Sequence, residues 1–153
     1  MTSTKHRIIV IVGATGSGKT DLSITLAHHY DAPIVSADSR QVYRGMAIGT
    51  AQPTCEQLQS AEHHFIASFD ITQEFNCGEF EKQALALLEE LFKKHETVIV
   101  VGGSGLYIKA LCEGMDDLPE ADKELRDAIS REYADKGLSP LSAYSRERDP
   151  VYY

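Results

Sequence analysis

The sequence predicts an α/β fold in which a parallel sheet is flanked by helices. Two apolar runs rich in β-branched residues, Ile8–Val12 and Thr97–Val101, are typical of strands buried on both faces of such a sheet. Glycines end each run and a helical pattern follows, and this strand–loop–helix order is typical of parallel sheets. A hydrophobic content of 42% is enough for a packed core, so an intrinsically disordered chain is excluded.

The elements between the two apolar runs are less regular. The helix after the first strand is predicted to bury a face that recurs every four residues: Leu22, Leu26 and Tyr30, with Ala27 beside it. Residues 33–37 are predicted to form a second strand that ends at Asp38, and residues 64–69 a further strand. The stretch 41–53 has mixed polarity and two glycines, which predicts a loop or a short helix.

The clearest helical pattern covers residues 78–94. Its apolar face is formed by Phe80, Ala84, Leu87, Leu88 and Leu91. Asn76, followed three residues later by Glu79, predicts the N-terminal cap. A short helix is predicted after Gly102–Gly105, through Leu111.

The pattern changes after residue 114, which predicts two domains: a core, residues 1–114, and the start of a helical insertion, residues 115–153. A charged helix is predicted from Asp122 to Lys136, stopped by Gly137, and Ser139-Pro140 is predicted to begin another. The apolar positions of the charged helix are expected to pack inside this second domain: Leu125, Ile129 and Tyr133.

Composition and charge narrow the class of protein. The formal net charge is −8, which argues against a chain that wraps nucleic acid by itself. No apolar run approaches the length of a membrane span, and the N-terminus lacks a secretion signal. Three scattered cysteines predict reduced thiols. We therefore expect a cytoplasmic monomer with no membrane association.

The loop after the first strand satisfies the pattern G-x-x-x-x-G-K-[ST] in full, which predicts a P-loop NTPase-like fold. Its glycines let several N–H groups converge on one anion, and the following helix adds a partial positive charge. Lys19 adds a full charge, and the Thr20 hydroxyl can bind a Mg²⁺ ion shared with the phosphates. The predicted phosphate-binding residues are Gly13, Ala14, Thr15, Gly16, Ser17, Gly18, Lys19 and Thr20.

The second apolar run ends in Gly102-Gly103-Ser104, without the carboxylate that ordinary P-loop ATPases place at a strand end. This favours a transferase over a motor or switch ATPase. Asp38 and Ser104 follow the predicted strands at the edge where ligands bind. Asp38 is a candidate base, metal ligand or sugar contact, but an Asp-Ser pair is equally suited to capping a turn. Ser104 is likewise a candidate ligand contact or a capping serine.

Three segments in order resemble the tRNA dimethylallyltransferase (isopentenyltransferase) family. They are the phosphate loop, then Ser36–Met46 with Ile48–Pro53, and then Val101–Tyr107, accompanied by His63-His64 and Gly78–Phe80. The resemblance implies transfer of a dimethylallyl group from dimethylallyl diphosphate to N6 of adenosine 37, in the anticodon loop of tRNAs that read codons starting with U.

The resemblance also implies roles for single residues. Asp38 matches the family's general base, and Ser104 matches a position where the family usually has threonine, so both are predicted catalytic residues. The residues predicted to contact tRNA are Asp38, Ser39, Arg40 and Gln41. Mg²⁺ on Thr20 is the implied metal. Family members continue well beyond this length, so a chain of this extent is expected to bind the donor without necessarily transferring it.

Three alternatives stay open at this point. A nucleoside or small-molecule kinase would place ATP on the loop and use Asp38 as base for a hydroxyl. An adenylate isopentenyltransferase would use a free nucleotide as acceptor. A domain without catalytic activity would bind diphosphate as a scaffold. Among other candidates, His63-His64 is predicted to be structural or near the site. Arg40 and Arg44 would contact phosphate or form exposed salt bridges.

Overall fold

The computed structural model describes residues 5–115 and 122–151. Contacts divide the chain into two compact units, residues 1–115 and 116–153. The insertion was predicted to begin at residue 115, and residues 116–121, which follow that boundary, lie outside the described residues. That the second unit is a tRNA-binding insertion stays a prediction.

The first unit is built on a parallel sheet, as predicted. Its strands are β1 (Arg7–Val12), β2 (Ile34–Ser36), β3 (His63–His64) and β4 (Thr97–Gly102). They lie in the order β1-β4-β2-β3, and all three pairings are parallel. The loops that carry the phosphate motif, Asp38 and Ser104 follow the carboxyl ends of β1, β2 and β4. Because the strands are parallel, these three loops lie on the same side of the sheet.

Helices pack against both faces of the sheet. Those of the first unit are α1 (Lys19–Tyr30), α2 (Cys55–Ser60), α3 (Cys77–Leu91) and α4 (Gly105–Glu113). Helix α1 packs on one face, and α3 and α4 pack on the other. The Asn76 side chain accepts the N–H of Glu79 at 2.9 Å, so the predicted cap of α3 is confirmed. Within the described residues, no helix has the length and apolar character that crossing a membrane requires.

Helix α2 was not predicted. This helix begins with a capping box, in which the Thr54 hydroxyl accepts the N–H of Gln57 and the Gln57 side chain accepts the N–H of Thr54. The spacing T-x-x-Q was the available signal.

The core consists of two clusters separated by the sheet, because successive side chains of a strand point to opposite faces. Val35, Val98 and Val100 pack against α3 and α4 on one face. Ile34 and Ile99 pack against α1 on the other.

The prediction that β1 is buried on both faces is wrong. Ile9 and Ile11 pack toward the α1 side, but three alternate residues on the other face are exposed: Ile8 by 42%, Val10 by 36% and Val12 by 57%. On that face the cluster with α3 and α4 contains residues of β2 and β4 and none of β1, which is the outer strand next to β4.

The predicted buried face of α1 is also wrong in part. Leu22 and Tyr30 are exposed, whereas Ser23 and Ala27 are buried. The helix lies close to the sheet, and small side chains suit that position. The Ser23 hydroxyl donates to the Thr20 carbonyl, which satisfies it inside the fold.

Residues 64–69 do not form the predicted strand. Only His63–His64 pairs with β2, and the chain then turns through left-handed backbone conformations at Phe65 and Ala67. The N–H groups of Ala67 and Ser68 donate to the carbonyls of Gln41 and Val42 instead of to a continuing ladder. This segment therefore pairs with the loop after β2 and does not extend β3.

The second unit contains α5 (Lys123–Lys136) and α6 (Ser139–Arg148). Asp122 was predicted as the first residue of α5 and is instead its N-terminal cap, whereas Gly137 ends the helix as predicted. Leu125, Ile129 and Tyr133 are 41% exposed or more, so the prediction that they pack inside this unit is wrong. With two helices described, the unit offers few surfaces to bury them.

Candidate functional site

A cavity of about 320 Å³ lies between the phosphate loop, the start of α1 and the segment after β2. Seven of the predicted site residues line it: Thr15, Gly16, Gly18, Lys19, Thr20, Asp38 and Gln41. The remaining predicted residues, Gly13, Ala14, Ser17, Ser39, Arg40 and Ser104, are not among the described residues of its wall. The cavity thus joins the phosphate loop to Asp38, as the sheet edge predicts.

The phosphate loop has the backbone conformation that its glycines allow. Gly16 and Gly18 have φ angles of 78° and 81°, and Gly18 is the residue before α1 begins. The first N–H groups of a helix have no partner within it, so those at the start of α1 are available to an anion. The Lys19 ammonium donates to the Ala14 carbonyl at 2.5 Å, which folds its charge over the loop.

Asp38 uses one carboxylate oxygen to hold its own turn. Oδ1 accepts the N–H groups of Arg40 at 3.0 Å and Gln41 at 3.2 Å. Within the described residues, Oδ2 accepts no hydrogen bond; it lies 3.8 Å from the position that a Cβ on Gly103 would take. The capping and functional interpretations of Asp38 are therefore compatible, because they use different oxygens.

The ends of β2 and β4 are in close contact. A Cβ added to Gly102 would lie 2.0 Å from the Ala37 carbonyl oxygen, so glycine is the residue that this approach allows. The Ser39 N–H donates to Ser104 Oγ at 2.9 Å, and Ser104 Oγ donates to Ser39 Oγ at 3.1 Å. Ser104 thus links the two strand ends, next to the cavity wall.

Within the described residues Arg44 does not form the predicted exposed salt bridge, and its contact with phosphate stays a prediction. Its Nε donates to the Ala67 carbonyl at 3.1 Å and its Nη2 to the Ser68 carbonyl at 2.9 Å. The guanidinium therefore stabilises the loop that replaced the predicted strand. Arg40, by contrast, is exposed, and its N–H donates to Asp38.

The two adjacent histidines point to opposite faces of the sheet. His63 pairs with Ile34, lies on the α1 face and lines the cavity. Its Nδ1 donates to the Ala61 carbonyl at 2.9 Å, because a carbonyl can only accept. His64 pairs with Val35, and its Nε2 lies 3.0 Å from Glu62 Oε1.

Four polar residues of the cavity wall were not predicted as site residues: Asp21, Ser23, Ser36 and Gln57. Gln57, on α2, lines it and donates to Asp21 Oδ1 at 2.8 Å. The missed capping box would have located Gln57. Ser23 also lines it, and its position follows only once the buried face of α1 is known.

Tyr107, on α4, holds the aromatic core behind the site. Its hydroxyl donates to the Phe75 carbonyl at 2.9 Å, and its ring stacks on Phe80 at 4.4 Å. Burial, followed by the negative charges of neighbouring groups that include Asp38, raises the pKa of Tyr107 to about 12. The phenol therefore stays protonated and serves as a donor to the backbone.

A pre-formed metal cage is not seen in the described residues, since no three His, Cys, Asp or Glu side chains cluster there. The cavity does contain the Thr20 hydroxyl and the Asp38 carboxylate. Mg²⁺ is commonly held by one or two protein oxygens together with substrate phosphates and water, so this donor set fits the ion.

Comparison with known proteins identifies the same family that the sequence motifs resemble. A family model described as IPP transferase matches residues 41–153. The tRNA dimethylallyltransferase of Cytophaga hutchinsonii is 49% identical over 143 residues, which are 94% of this chain and 47% of the relative. That of Flavobacterium johnsoniae is 47% identical over 146 residues, 95% of this chain and 47% of the relative. The chain spans about half the length of the curated relatives it matches.

Solved structures similar to this chain come from the same kind of transferase. The full-length tRNA isopentenylpyrophosphate transferase of Bacillus halodurans has a TM-score of 0.71 and 33% identity, covering 97% of this chain and 49% of that one. A eukaryotic dimethylallyltransferase acting on tRNA has a TM-score of 0.71 and 28% identity, covering 82% of this chain and 32% of that one. The predicted P-loop NTPase-like core is consistent with these similarities.

Proposed function

The chain belongs to the IPP transferase family, and from that premise we propose that it provides the donor site of an enzyme that modifies tRNA. The donor is dimethylallyl diphosphate. The acceptor is N6 of adenosine 37, in the anticodon loop of tRNAs that read codons starting with U. The protein acts as a monomer in the cytoplasm.

Residues of the phosphate loop and Asp38 line the same cavity, and this shared cavity is the main support for the proposal. The loop N–H groups and the Lys19 ammonium bind the diphosphate, and their charge stabilises the negative charge that grows on it as it leaves. Mg²⁺, held by Thr20 and the phosphates, would supply further stabilisation of that leaving group. The apolar part of the wall, Ile34, Ile66 and Val101, suits the prenyl chain.

Asp38 acts as the general base. As the N6–carbon bond forms at the allylic carbon, the carbon–oxygen bond to the diphosphate breaks, and the diphosphate leaves with the electron pair. Asp38 Oδ2 accepts the proton that N6 releases, while Oδ1 keeps its two backbone hydrogen bonds. A base must be within reach of its proton, so the adenine leaves the anticodon-loop stack and enters the cavity.

The turn from Asp38 to Gln41 contacts the tRNA. Arg40 is exposed in this turn and offers a cation to RNA phosphate, which helps to offset a net charge of −8. Ser104 keeps this turn in place through Ser39.

A transfer assay tests this proposal. Radiolabelled dimethylallyl diphosphate and an anticodon stem-loop with adenosine at position 37 are incubated with the chain. A parallel reaction uses a chimaera in which the chain is followed by the remaining half of the Cytophaga hutchinsonii relative. We expect label on the RNA with the chimaera. We also expect a loss of about 100-fold or more in its Asp38→Asn variant, in line with the removal of a general base.

Replacing adenosine 37 by inosine is the matched control, because it removes the N6 amine. Equal labelling of both RNAs, or full activity of Asp38→Asn, would contradict the proposed chemistry.

A further inference from the structure

Gln52 lies in the loop after β2 and forms hydrogen bonds that converge on the turn of Asp38. Its side-chain Nε2 donates to the carbonyls of Gln41 at 2.7 Å and Tyr43 at 2.8 Å. Its backbone N–H donates to the Ala47 carbonyl at 3.0 Å. Gln52 is partly buried and is not among the described residues of the cavity wall.

Gln41 returns the interaction. Its side-chain Nε2 donates to the carbonyls of Thr50 at 3.1 Å and Ala51 at 2.9 Å, immediately before Gln52. We refer to Gln41 and Gln52 together as the glutamine clasp. The Gln52 side chain binds the backbone at and after Gln41, and the Gln41 side chain binds the backbone just before Gln52, so the clasp closes the loop between them. Val42, 1% exposed, anchors the same loop in the core.

The clasp connects directly to Asp38. The peptide N–H of Gln41 donates to Asp38 Oδ1, and Gln52 holds the carbonyl of Gln41. The Arg40 N–H, the second donor to Oδ1, belongs to the same turn. These bonds direct Oδ1 to the backbone and leave Oδ2 toward Gly103. We propose that Gln52 is a positioning residue for Asp38, whose role as base rests on the proposed function.

The clasp also fixes which atoms the turn can offer to a ligand. The carbonyls of Thr50 and Ala51 can only accept, so the Gln41 amide must turn its NH₂ group toward them. Oε1 is then the part of this side chain left for a ligand in the cavity that Gln41 lines. Together with Asp38 Oδ2, it makes a wall of hydrogen-bond acceptors, which suits a group with two N–H donors such as an exocyclic amine.

Amide hydrogen exchange, measured by NMR on the whole chain, tests this inference. The variants are Gln52→Met and Gln52→Glu, which keep the size of the side chain and remove its N–H donors. The control is Gln83→Met, because Gln83 on α3 donates to Glu79, far along the chain from the clasp. We expect exchange at Arg40 and Gln41 to rise at least tenfold in both Gln52 variants, with a changed ¹³C shift of the Asp38 carboxylate. The α3 amides stay within twofold, as in Gln83→Met.

Two results would overturn the inference. Unchanged exchange and unchanged carboxylate shift would show that Gln52 does not hold the turn. A similar rise throughout α3 would show that Gln52 acts only on overall stability. Neither readout requires dimethylallyl diphosphate, so failure of the proposed function, seen as absent donor binding, is distinguishable from failure of this inference.

Discussion

The backbone N–H of Ser39 donates to the hydroxyl oxygen of Ser104 at 2.9 Å, although the two residues are 65 positions apart in the sequence. This bond ties the turn that carries Asp38 to the end of β4. It explains how a serine outside the cavity wall can matter to the site: it fixes the position of the residue that follows Asp38.

Replacing Ser104 tests that link. Ser104→Ala leaves the partly buried Ser39 N–H without its acceptor, and we expect a loss of about 1–2 kcal/mol in the free energy of unfolding. Ser104→Thr keeps the hydroxyl and should stay within about 0.5 kcal/mol. Urea unfolding followed by circular dichroism measures both. Equal stability of the alanine and threonine variants would show that the hydroxyl does not link the strand ends.

Gly102 is predicted to tolerate no side chain. In Gly102→Ala the new Cβ would meet the Ala37 carbonyl at 2.0 Å, and since backbone must move we expect destabilisation of about 3 kcal/mol. Gly105→Ala is the matched control, because no atom lies within 4 Å of its Cβ position and α4 begins there. That variant should be neutral or about 0.5 kcal/mol more stable. Similar midpoints of urea unfolding for the two variants would contradict the close contact of β2 and β4.

The edge position of β1 predicts unequal costs for two isoleucines. Ile99 on β4 is fully buried, and Ile99→Ala should cost about 4 kcal/mol. Ile8 on β1 is 42% exposed, and Ile8→Ala should cost about 1 kcal/mol. Equal losses in chemical denaturation would mean that the outer face of β1 is covered in solution.

Ionisation of Tyr107 is expected to lower the stability of the folded chain at alkaline pH. Its pKa is raised from about 10 to about 12 in the folded chain, so the folded state retains the proton more strongly than the unfolded state. The stabilisation is fully present below pH 10 and is lost as the pH rises towards 12. In Tyr107→Phe the stability at pH 7 falls by about 1–2 kcal/mol, because the Phe75 carbonyl loses its donor. The midpoint of thermal unfolding should then fall less steeply between pH 10 and 12 than in the parent chain, and an identical slope would contradict the assignment.

The parts of the site that local sequence encodes were predictable. The phosphate loop is a contiguous motif between a strand and a helix, and Asp38 follows a strand at the edge where parallel sheets bind ligands. The exposure of β1 was not predictable from its apolar run, because it depends on the order of strands in the sheet.

The glutamine clasp is a second feature that could not be predicted from the sequence. Gln41 and Gln52 bind backbone carbonyls 9 to 11 positions away, and glutamine side chains in an irregular loop carry no periodic signal. Their partners follow only from the folded path of that loop. The conformation of the loop after β3 could not be predicted for the same reason, because it depends on hydrogen bonds to the backbone of residues 41–42 and to the Arg44 side chain.

The most direct test of the proposed donor site is calorimetric titration of the chain, in the presence of Mg²⁺, with dimethylallyl diphosphate and separately with ATP. We predict binding of the prenyl diphosphate, at least tenfold weaker binding of ATP, and loss of diphosphate binding in Lys19→Ala. Lys82→Ala, which removes an exposed lysine on α3, is the control and should bind as the parent does. Tighter binding of ATP than of the prenyl diphosphate, or unchanged binding in Lys19→Ala, would contradict the assignment of this cavity as a prenyl-donor site.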